Sequence, residues 1–493
     1  MAAKKMVVIG GGFGGLAAAI RLRQQGHDVM LLEKRDQLGG RGYQYHLNGF
    51  KFDGGPTVIT APYMFDELFA GSGRKREDYF QLVPVDPFYR IFDEHGRHFD
   101  YGGSPQAMLD EVRRWSPGDV TGYQRLMQRV EKIFDRFYQY TDKPFLHLPD
   151  MLKIMPAMIG MGTMLSMYPL TALHIKDPFL RKIFSFHPLL IGGSPFSTPS
   201  IFALIMHVEK KWGVHYGMGG TGAIVEGLGR LYSEIGGHLC LNTEVQEIMI
   251  RGGRAVGVRL ANGDEIPADA VICNGDVTHA YQHLIPAAAQ KPLTRWRLQK
   301  LTHSFSLFVI YFGTQRRYLD SQLAHHNVIL TRRYSGLLRD IHHGKHLPDD
   351  FALYLHMPTR TDSSIAPEGC ESFYVLSVVP NLGAPIPWQE VGQRYRDRIM
   401  QFLEDNYLPD LQANIIAEHR IDPLHFQKTL NSYQGAAFGV QPSLLQSAWM
   451  RPHNRSDEFP NLYFVGAATH PGAGVPSVLS SGKIAAELIA QEG

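Results

Sequence analysis

The segment that decides the fold reads Met6-Val-Val-Ile-Gly10-Gly-Gly12-Phe-Gly14-Gly15, continues through Leu16-Ala-Ala-Ala-Ile20 and ends in Val29-Met-Leu-Leu-Glu33. The pattern predicts a buried strand, a glycine turn, a helix that stops at Gly26 and a second strand. Gly10 permits a tight turn, Gly12 lets the backbone approach a pyrophosphate, and Gly15 lets the helix pack against the strand. The helix N-terminus offers free N–H groups to phosphates, and Glu33 can accept hydrogen bonds from ribose hydroxyls. The segment therefore predicts a bound dinucleotide.

Composition excludes several other classes of protein. The chain has 493 residues, enough for two or three structural units. Its 49 Lys and Arg against 47 Asp and Glu leave a net charge of +2, which argues against nucleic-acid binding through a broad basic field. With 44% apolar residues it is not intrinsically disordered. Cys240, Cys273 and Cys370 lie far apart and form no disulfide framework or zinc signature, so we expect a reducing cytoplasmic compartment.

A second glycine motif, directly after Glu33, distinguishes FAD from NAD. The stretch from Lys34 to Gly39-Gly40-Arg41 resembles the extended fingerprint of the FAD-dependent amine-oxidase and carotenoid-desaturase superfamily. In that superfamily the backbone and the arginine lie along the FAD diphosphate and ribityl chain, and a planar guanidinium suits phosphate oxygens. The segment from Phe52 to Thr57 resembles the part that passes beside the flavin. The resemblance implies FAD contacts at Gly10, Gly12, Gly14, Gly15, Glu33, Lys34, Gly40, Arg41, Gly55, Pro56 and Thr57.

The C-terminal segment carries the most specific resemblance. Residues 461–466 predict a strand that opens into a glycine turn, and the stretch from Ala467 to Gly482 closely resembles the C-terminal signature of bacterial-type phytoene desaturases. Ala468 departs from that family, which usually has Gly or Ser there. Pro476 suits the first turn of a helix whose N-terminus would face the flavin. The resemblance implies further FAD contacts at Gly466, Ala467, Gly474, Val475 and Pro476, and at Val245 in a mid-chain β-meander.

The order of these motifs implies both an activity and an architecture. The implied reaction is FAD-dependent dehydrogenation of phytoene, a hydrophobic C40 polyene, towards neurosporene or lycopene, with reoxidation by a quinone or oxygen. Alternatives are a paralogous carotenoid desaturase or isomerase acting on a later or C30 intermediate, and a non-catalytic FAD-binding membrane escort protein. The expected fold is α/β, with a Rossmann-like FAD domain built from discontinuous segments, an α+β substrate domain and a helical membrane-associated region.

The same order predicts where each unit begins and ends. The FAD domain is expected at 1–85, 216–290 and 441–493. A helical substrate and membrane region is expected at 86–215, and the substrate-binding domain at 291–440. Strands of the substrate domain are expected at 306–312, 351–356 and 372–379, where apolar and aromatic residues dominate.

An uncharged stretch, residues 154–175, indicates how the protein meets its substrate. Prolines and glycines interrupt it, so we do not expect a transmembrane helix. Met155, Met158, Met161, Met164 and Met167 recur every third position and predict one broad apolar stripe. A core helix and a monotopic surface that dips into lipid both remain open. The second alternative predicts a cytoplasmic protein peripherally associated with the membrane.

The reaction also needs a group that accepts a proton. Asp150 lies beside the uncharged stretch and is a candidate, although Pro149-Asp150-Met-Leu-Lys153 is typical of a helix start and favours a capping role. The 23 histidines show no metal-ligand spacing. The pairs His325-His326 and His342-His343 lack a third ligand at helical spacing, so no metal site is expected.

Overall fold

Residues 3–492, which the computed structural model describes, form a five-stranded parallel sheet, a seven-stranded mixed sheet, a three-stranded antiparallel sheet and two short ribbons. The strands are β1 Lys5–Ile9, β2 Asp28–Leu32, β3 Gln44–Leu47, β4 Phe50–Asp53, β5 Leu82–Pro84, β6 Tyr89–Phe92, β7 His98–Tyr101, β8 His215–Gly217, β9 His238–Cys240, β10 Val245–Arg251, β11 Arg254–Leu260, β12 Glu265–Pro267, β13 Ala270–Cys273, β14 Ser306–Thr314, β15 His326–Ile329, β16 Leu353–His356, β17 Glu371–Val379, β18 Ile415–Ile421 and β19 Leu462–Phe464.

The α-helices surround these sheets. They are α1 Phe13–Gln24, α2 Tyr63–Ala70, α3 Pro105–Trp115, α4 Val120–Phe137, α5 Leu148–Gly160, α6 Met167–Ala172, α7 Pro178–Ile183, α8 Leu204–Trp212, α9 Thr221–Glu234, α10 Val277–His279, α11 Pro292–Gln299, α12 Tyr334–His343, α13 Trp388–Asn406, α14 Leu411–Asn414, α15 Pro423–Lys428 and α16 Val475–Gln491. The fold is of the α/β class expected from the sequence.

The parallel sheet joins segments that are far apart in the chain. Its strand order is β19-β13-β1-β2-β9. In β1, Val7 lies between Val271 of β13 and Met30 of β2, and Val271 in turn pairs with Leu462 of β19. The N-terminal, middle and C-terminal segments therefore meet in one sheet. The domain boundaries given above remain a prediction.

Close packing of α16 against α1 fixes the C-terminal segment beside the glycine turn. A methyl group at Gly482 would lie 2.8 Å from the backbone nitrogen of Ala18 and 3.0 Å from the carbonyl oxygen of Gly14. Only glycine at this position lets the two helices approach so closely. The small residues of α1 are buried on nearly every face, because the sheet, α9 and α16 all cover the helix.

The seven-stranded sheet has the order β18-β14-β17-β16-β15-β6-β7 and contains the three strands expected for the substrate domain. Side chains alternate between its two faces, as in any strand. Phe308, Ile310 and Phe312 of β14 pack in a core with α13, while Leu307, Val309 and Tyr311 face a cavity. One face of this sheet is therefore structural and the other lines the site.

The methionine stripe does not lie on one helix, and that expectation was wrong. Helix α5 ends at Gly160, Gly162 adopts a positive φ of 64°, and a separate short helix begins at Met167. Met158 and Met167 are buried, whereas Met164 is exposed. Among residues 3–492, no helix combines the length and apolarity needed to cross a bilayer.

Candidate active site

A cavity of about 490 Å³ runs from the carboxyl ends of β1 and β2 to the inner face of the seven-stranded sheet. It is lined by Gly10, Gly12, Gly14, Glu33, Lys34, Gly40, Arg41, Gly55, Pro56, Thr57, Val245, Gly466, Ala467, Gly474, Val475 and Pro476, all predicted from the sequence as cofactor contacts. Gly15 lies behind the lining, because a methyl group there would be 2.0 Å from the carbonyl oxygen of Gly10. Its position agrees with a role in packing α1 against β1.

One end of the cavity presents hydrogen-bonding groups suited to a dinucleotide. The Glu33 carboxylate accepts the backbone N–H of Gly11 at 2.7 Å and that of Arg35 at 3.0 Å, which fixes it at the end of β2. Gly12 and Gly474 are the N-cap residues of helices α1 and α16, and as glycines they provide no side-chain cap. Their free N–H groups and positive dipole ends favour an anion at this end.

Two cations at the same end are held by a loop that the sequence analysis did not identify. Arg41 donates to the Ser432 hydroxyl at 3.0 Å, and Lys34 donates to the Asn431 side-chain oxygen at 2.9 Å. Burial lowers the pKa of Arg41, and the carboxylate of Asp276 partly offsets that effect. The Arg41 Nε has no partner among the described residues. A buried guanidinium with a free donor suits a phosphate oxygen.

Asn274 connects the glycine turn to the C-terminal segment. Its side-chain nitrogen donates to the Gly10 carbonyl at 3.2 Å, and methyl groups added at Gly14 or Gly466 would each lie 2.7 Å from its side-chain oxygen. The residue directly follows β13. The carboxyl ends of neighbouring parallel strands meet at one edge, so a polar residue directly after the apolar run 270–273 is the signal that could have found Asn274.

Arg451 holds the C-terminal loop in place from behind. Its buried guanidinium donates to the carbonyls of Ala467 at 2.8 Å, Val440 at 2.9 Å and Thr469 at 3.0 Å. Burial lowers the pKa of Arg451 to about 10, with Asp276 again opposing the shift. The position of Ala467 in the cavity wall thus depends on Arg451, which does not itself line the cavity.

The other end of the cavity is apolar, apart from a buried carboxylate in its wall. The apolar lining comprises Phe186, Leu189, Leu190, Ile191, Leu204, Ile205, Val208, Leu307, Val309, Val328, Leu330, Leu353, Leu376, Val378 and Phe438. Glu209 lines the cavity beside Val208 although it is only 1% exposed. It accepts the Tyr89 hydroxyl at 2.8 Å and lies 3.0 Å from His187 Nε2. Burial, reinforced by this carboxylate, raises the pKa of Tyr89 well above its usual value.

Comparison with known proteins agrees with this arrangement. The chain matches the model of the flavin containing amine oxidoreductases over residues 13–490. It is 44% identical to the lycopene-forming phytoene desaturase of Pseudescherichia vulneris, covering 99% of each chain. The chain belongs to this flavoprotein family. A neurosporene-forming phytoene desaturase of Cereibacter sphaeroides is 40% identical, covering 99% of this chain and 94% of that one. Within the family, this flavoprotein is a member of the bacterial carotenoid desaturases.

A solved structure of putrescine oxidase bound to putrescine shows the same fold. It has a TM-score of 0.65 and 15% identity, and the alignment covers 99% of each chain. The family membership makes this flavoprotein an FAD-dependent oxidoreductase. The residues present fit FAD: Glu33, two uncapped helix N-termini and the free Nε of Arg41 lie in the same cavity as an apolar region.

Asp150, the proton acceptor suggested by the sequence, does not line the cavity. It lies in the first turn of α5, where its half-exposed carboxylate is 3.8 Å from the Lys153 ammonium. A carboxylate in the first turn interacts favourably with the helix dipole. The structural role that the sequence left open therefore describes Asp150 better than the catalytic one.

The histidines contain a cluster that their spacing did not indicate. His326 of β15 pairs with His356 of β16, and His325 joins them, so that one ring nitrogen from each lies within 4.8 Å of the others. All three are buried. The third histidine, His356, is brought to the other two by the pairing of β15 with β16, so helical spacing in the sequence does not reveal it.

Proposed function

We propose that this flavoprotein desaturates phytoene, a C40 polyene, in successive steps towards neurosporene or lycopene. The observation that carries the proposal is one cavity that is polar at its dinucleotide end and apolar at its other end. The full-length relatives that are 40–44% identical are phytoene desaturases. A hydrocarbon substrate needs an apolar site, because burying unpaired polar groups against it would cost free energy.

FAD, when bound, supplies the two-electron acceptor. We assign its contacts to the sixteen lining residues given above, with Glu33 at a ribose, and with Arg41 and the N-terminus of α1 at the diphosphate. The N-terminus of α16, at Gly474 and Val475, would stabilise negative charge on the reduced ring. A membrane quinone or oxygen is the proposed final electron acceptor.

Each desaturation removes two hydrogens from adjacent carbons. One hydrogen leaves with its bonding electron pair, for which bound FAD would be the acceptor. The other hydrogen leaves as a proton, and its electron pair forms the new double bond. The apolar walls position the chain and exclude water, and a base must take the proton. Glu209 is the acidic residue at the apolar end of the cavity, and we assign this role to it.

Production of the chain in a bacterial host that accumulates phytoene tests the proposed reaction. We expect phytoene to be replaced by coloured neurosporene or lycopene, identified by chromatography and absorption spectrum. A host that makes only the C30 analogue serves as the comparison. Unchanged phytoene, with soluble yellow protein present, would contradict the proposal, and conversion of the C30 analogue alone would reassign the substrate.

We also propose that the protein lies on the membrane surface, because its substrate is dissolved in lipid. Among residues 3–492, eleven large apolar side chains are strongly exposed, and six of them fall between residues 148 and 173. This apolar patch comprises Leu148, Leu152, Ile159, Met164, Leu165 and Leu173. An exposed apolar surface of this kind is suited to the boundary between headgroups and acyl chains.

The patch predicts a loss of lipid binding on substitution. A triple variant, Leu152→Glu with Ile159→Glu and Leu173→Glu, should bind phosphatidylcholine liposomes at least tenfold more weakly, because it places three charges in the apolar boundary. Sedimentation with liposomes measures this. The matched control replaces Leu293, Leu319 and Ile416 by Glu, since these side chains are 72%, 52% and 42% exposed on other parts of the chain. Equal binding by the two triple variants would rule out the patch as the membrane contact.

A further inference from the structure

A chain of buried hydroxyl and imidazole groups leads from the cavity to the surface. The Thr57 hydroxyl, in the cavity wall, lies 2.9 Å from the Tyr354 hydroxyl, which lies 2.6 Å from His326 Nδ1. Beyond His326, the Nε2 atoms of His356 and His325 are 3.0 Å apart. His325 Nδ1 then lies 2.7 Å from the Thr361 hydroxyl, and Thr361 is exposed.

We propose that this chain, Thr57–Tyr354–His326–His356–His325–Thr361, is a proton relay between the apolar cavity and solvent. The inference rests on the proposed function, in which each desaturation releases one proton inside an apolar cavity. That proton cannot remain there through successive steps, because an unpaired charge is costly in such surroundings. Glu209 has no hydrogen bond to the relay among the described residues, so a proton from Glu209 reaches the relay through the cavity, which both Glu209 and Thr57 line.

The chemical state of the imidazoles suits a relay. Burial lowers the pKa of His325 to about 3. Burial and the neighbouring imidazoles hold the pKa of His326 and of His356 well below the usual value. A neutral imidazole has one donor nitrogen and one acceptor nitrogen, so it can accept a proton on one side and release one on the other. A charged imidazole has two donors and cannot accept.

One gap interrupts the chain, and it lies at His326. Its Nε2 has no partner among the described residues, although the cluster nitrogens lie within 4.8 Å of one another. A water molecule hydrogen-bonded to His326 Nε2 and to the neighbouring imidazole would complete the chain, and its presence is part of the proposal. The same three nitrogens resemble a metal-ligand set, but they bring no negative charge. Three neutral histidines can hold a divalent ion, so the metal content of the purified protein is what separates this alternative from the relay.

A single-turnover experiment separates electron transfer from proton release. FAD-loaded protein is mixed without oxygen with phytoene in phosphatidylcholine liposomes, while flavin bleaching reports the electrons and a pH-indicator dye reports protons in bulk solvent. In the native protein both signals should appear at the same rate. In His356→Gln and in Thr361→Val, bleaching should persist while the dye signal lags at least tenfold. His342→Gln, a histidine of α12 outside the relay, should behave as the native protein.

Several results would overturn the relay. The relay is overturned if the dye signal appears as fast as flavin bleaching in both variants. It is also overturned if both signals slow by the same factor, because that result indicates a structural role. A stoichiometric transition metal in the purified protein would reassign the cluster. If His356→Gln fails to fold, the rates measured for the surface variant Thr361→Val decide whether the relay is correct.

A measurement without FAD tests the relay independently of turnover. Nitrogen-15 NMR of the histidine-labelled protein should show all three imidazoles neutral at about neutral pH, and a doubly protonated ring would overturn the proposal. If native protein does not bleach with phytoene, the proposed function fails and the relay has no proton to carry. Bleaching with no lag of the dye signal in either variant overturns the relay alone.

Discussion

Gly15→Ala should produce a colourless protein that has lost FAD. The added methyl group would lie 2.0 Å from the Gly10 carbonyl oxygen, and both groups belong to backbone that cannot rotate away. Helix α1 must therefore move away from β1 and take its N-terminus out of line with the cavity. We expect FAD affinity to fall at least 100-fold, which corresponds to about 2.7 kcal/mol. Flavin absorbance of the purified protein and FAD titration of the apoprotein measure the loss.

The matched control for this substitution is Gly118→Ala. A methyl group at Gly118 meets no atom of residues 3–492 within 4 Å, so the added carbon alone should change neither colour nor affinity. Circular dichroism of both variants reports whether the fold survives. A folded, yellow Gly15→Ala protein with native FAD affinity would show that the close approach of α1 to β1 is not needed for the cofactor.

The features that sequence predicted well are those encoded within a few neighbouring residues. The turn at Gly10 and Gly12 and the acid at Glu33 belong to one strand, helix and strand, so their spacing already fixes their relative positions. The resemblance of residues 466–476 added the C-terminal segment, which no local pattern places beside β1. The contact itself depends on a long-range helix pair in which Gly482 touches α1.

The residues that sequence missed are brought to the site by long-range packing. Asn431 and Ser432 reach Lys34 and Arg41 across almost 400 positions of the chain. His356 meets His326 only because β15 and β16 pair in one register. Asp150 shows a different limit of sequence reasoning, because the structure places this candidate on α5, outside the cavity lining. A position next to an apolar stretch in the sequence does not determine which way the Asp150 side chain points on α5.

Glu209→Gln should nearly abolish desaturation while leaving FAD bound. The amide keeps the size of the carboxylate and can still bond Tyr89 and His187, but it cannot take a proton from the substrate. Removal of a general base typically costs about 10²- to 10⁴-fold in rate. We therefore expect a fall in kcat of at least 100-fold, with little change in KM or flavin absorbance. Initial rates with phytoene in liposomes give both constants.

Asp150→Asn and Glu371→Gln serve as controls for Glu209→Gln, and each answers a different objection. Asp150 is the acid that the sequence offered as a candidate, and its position on α5, outside the cavity lining, predicts a rate within about twofold of native. Glu371 is as deeply buried as Glu209 but accepts the backbone N–H of Tyr318, away from the cavity lining. Its replacement should lower the thermal stability and leave kcat of the correctly folded protein unchanged.

If Glu209→Gln retained more than a fifth of the native kcat, the proton would have to leave by another group. The Thr57–Tyr354 pair, which shares the cavity wall, would then be the next place to look, because its hydroxyls already connect to the relay.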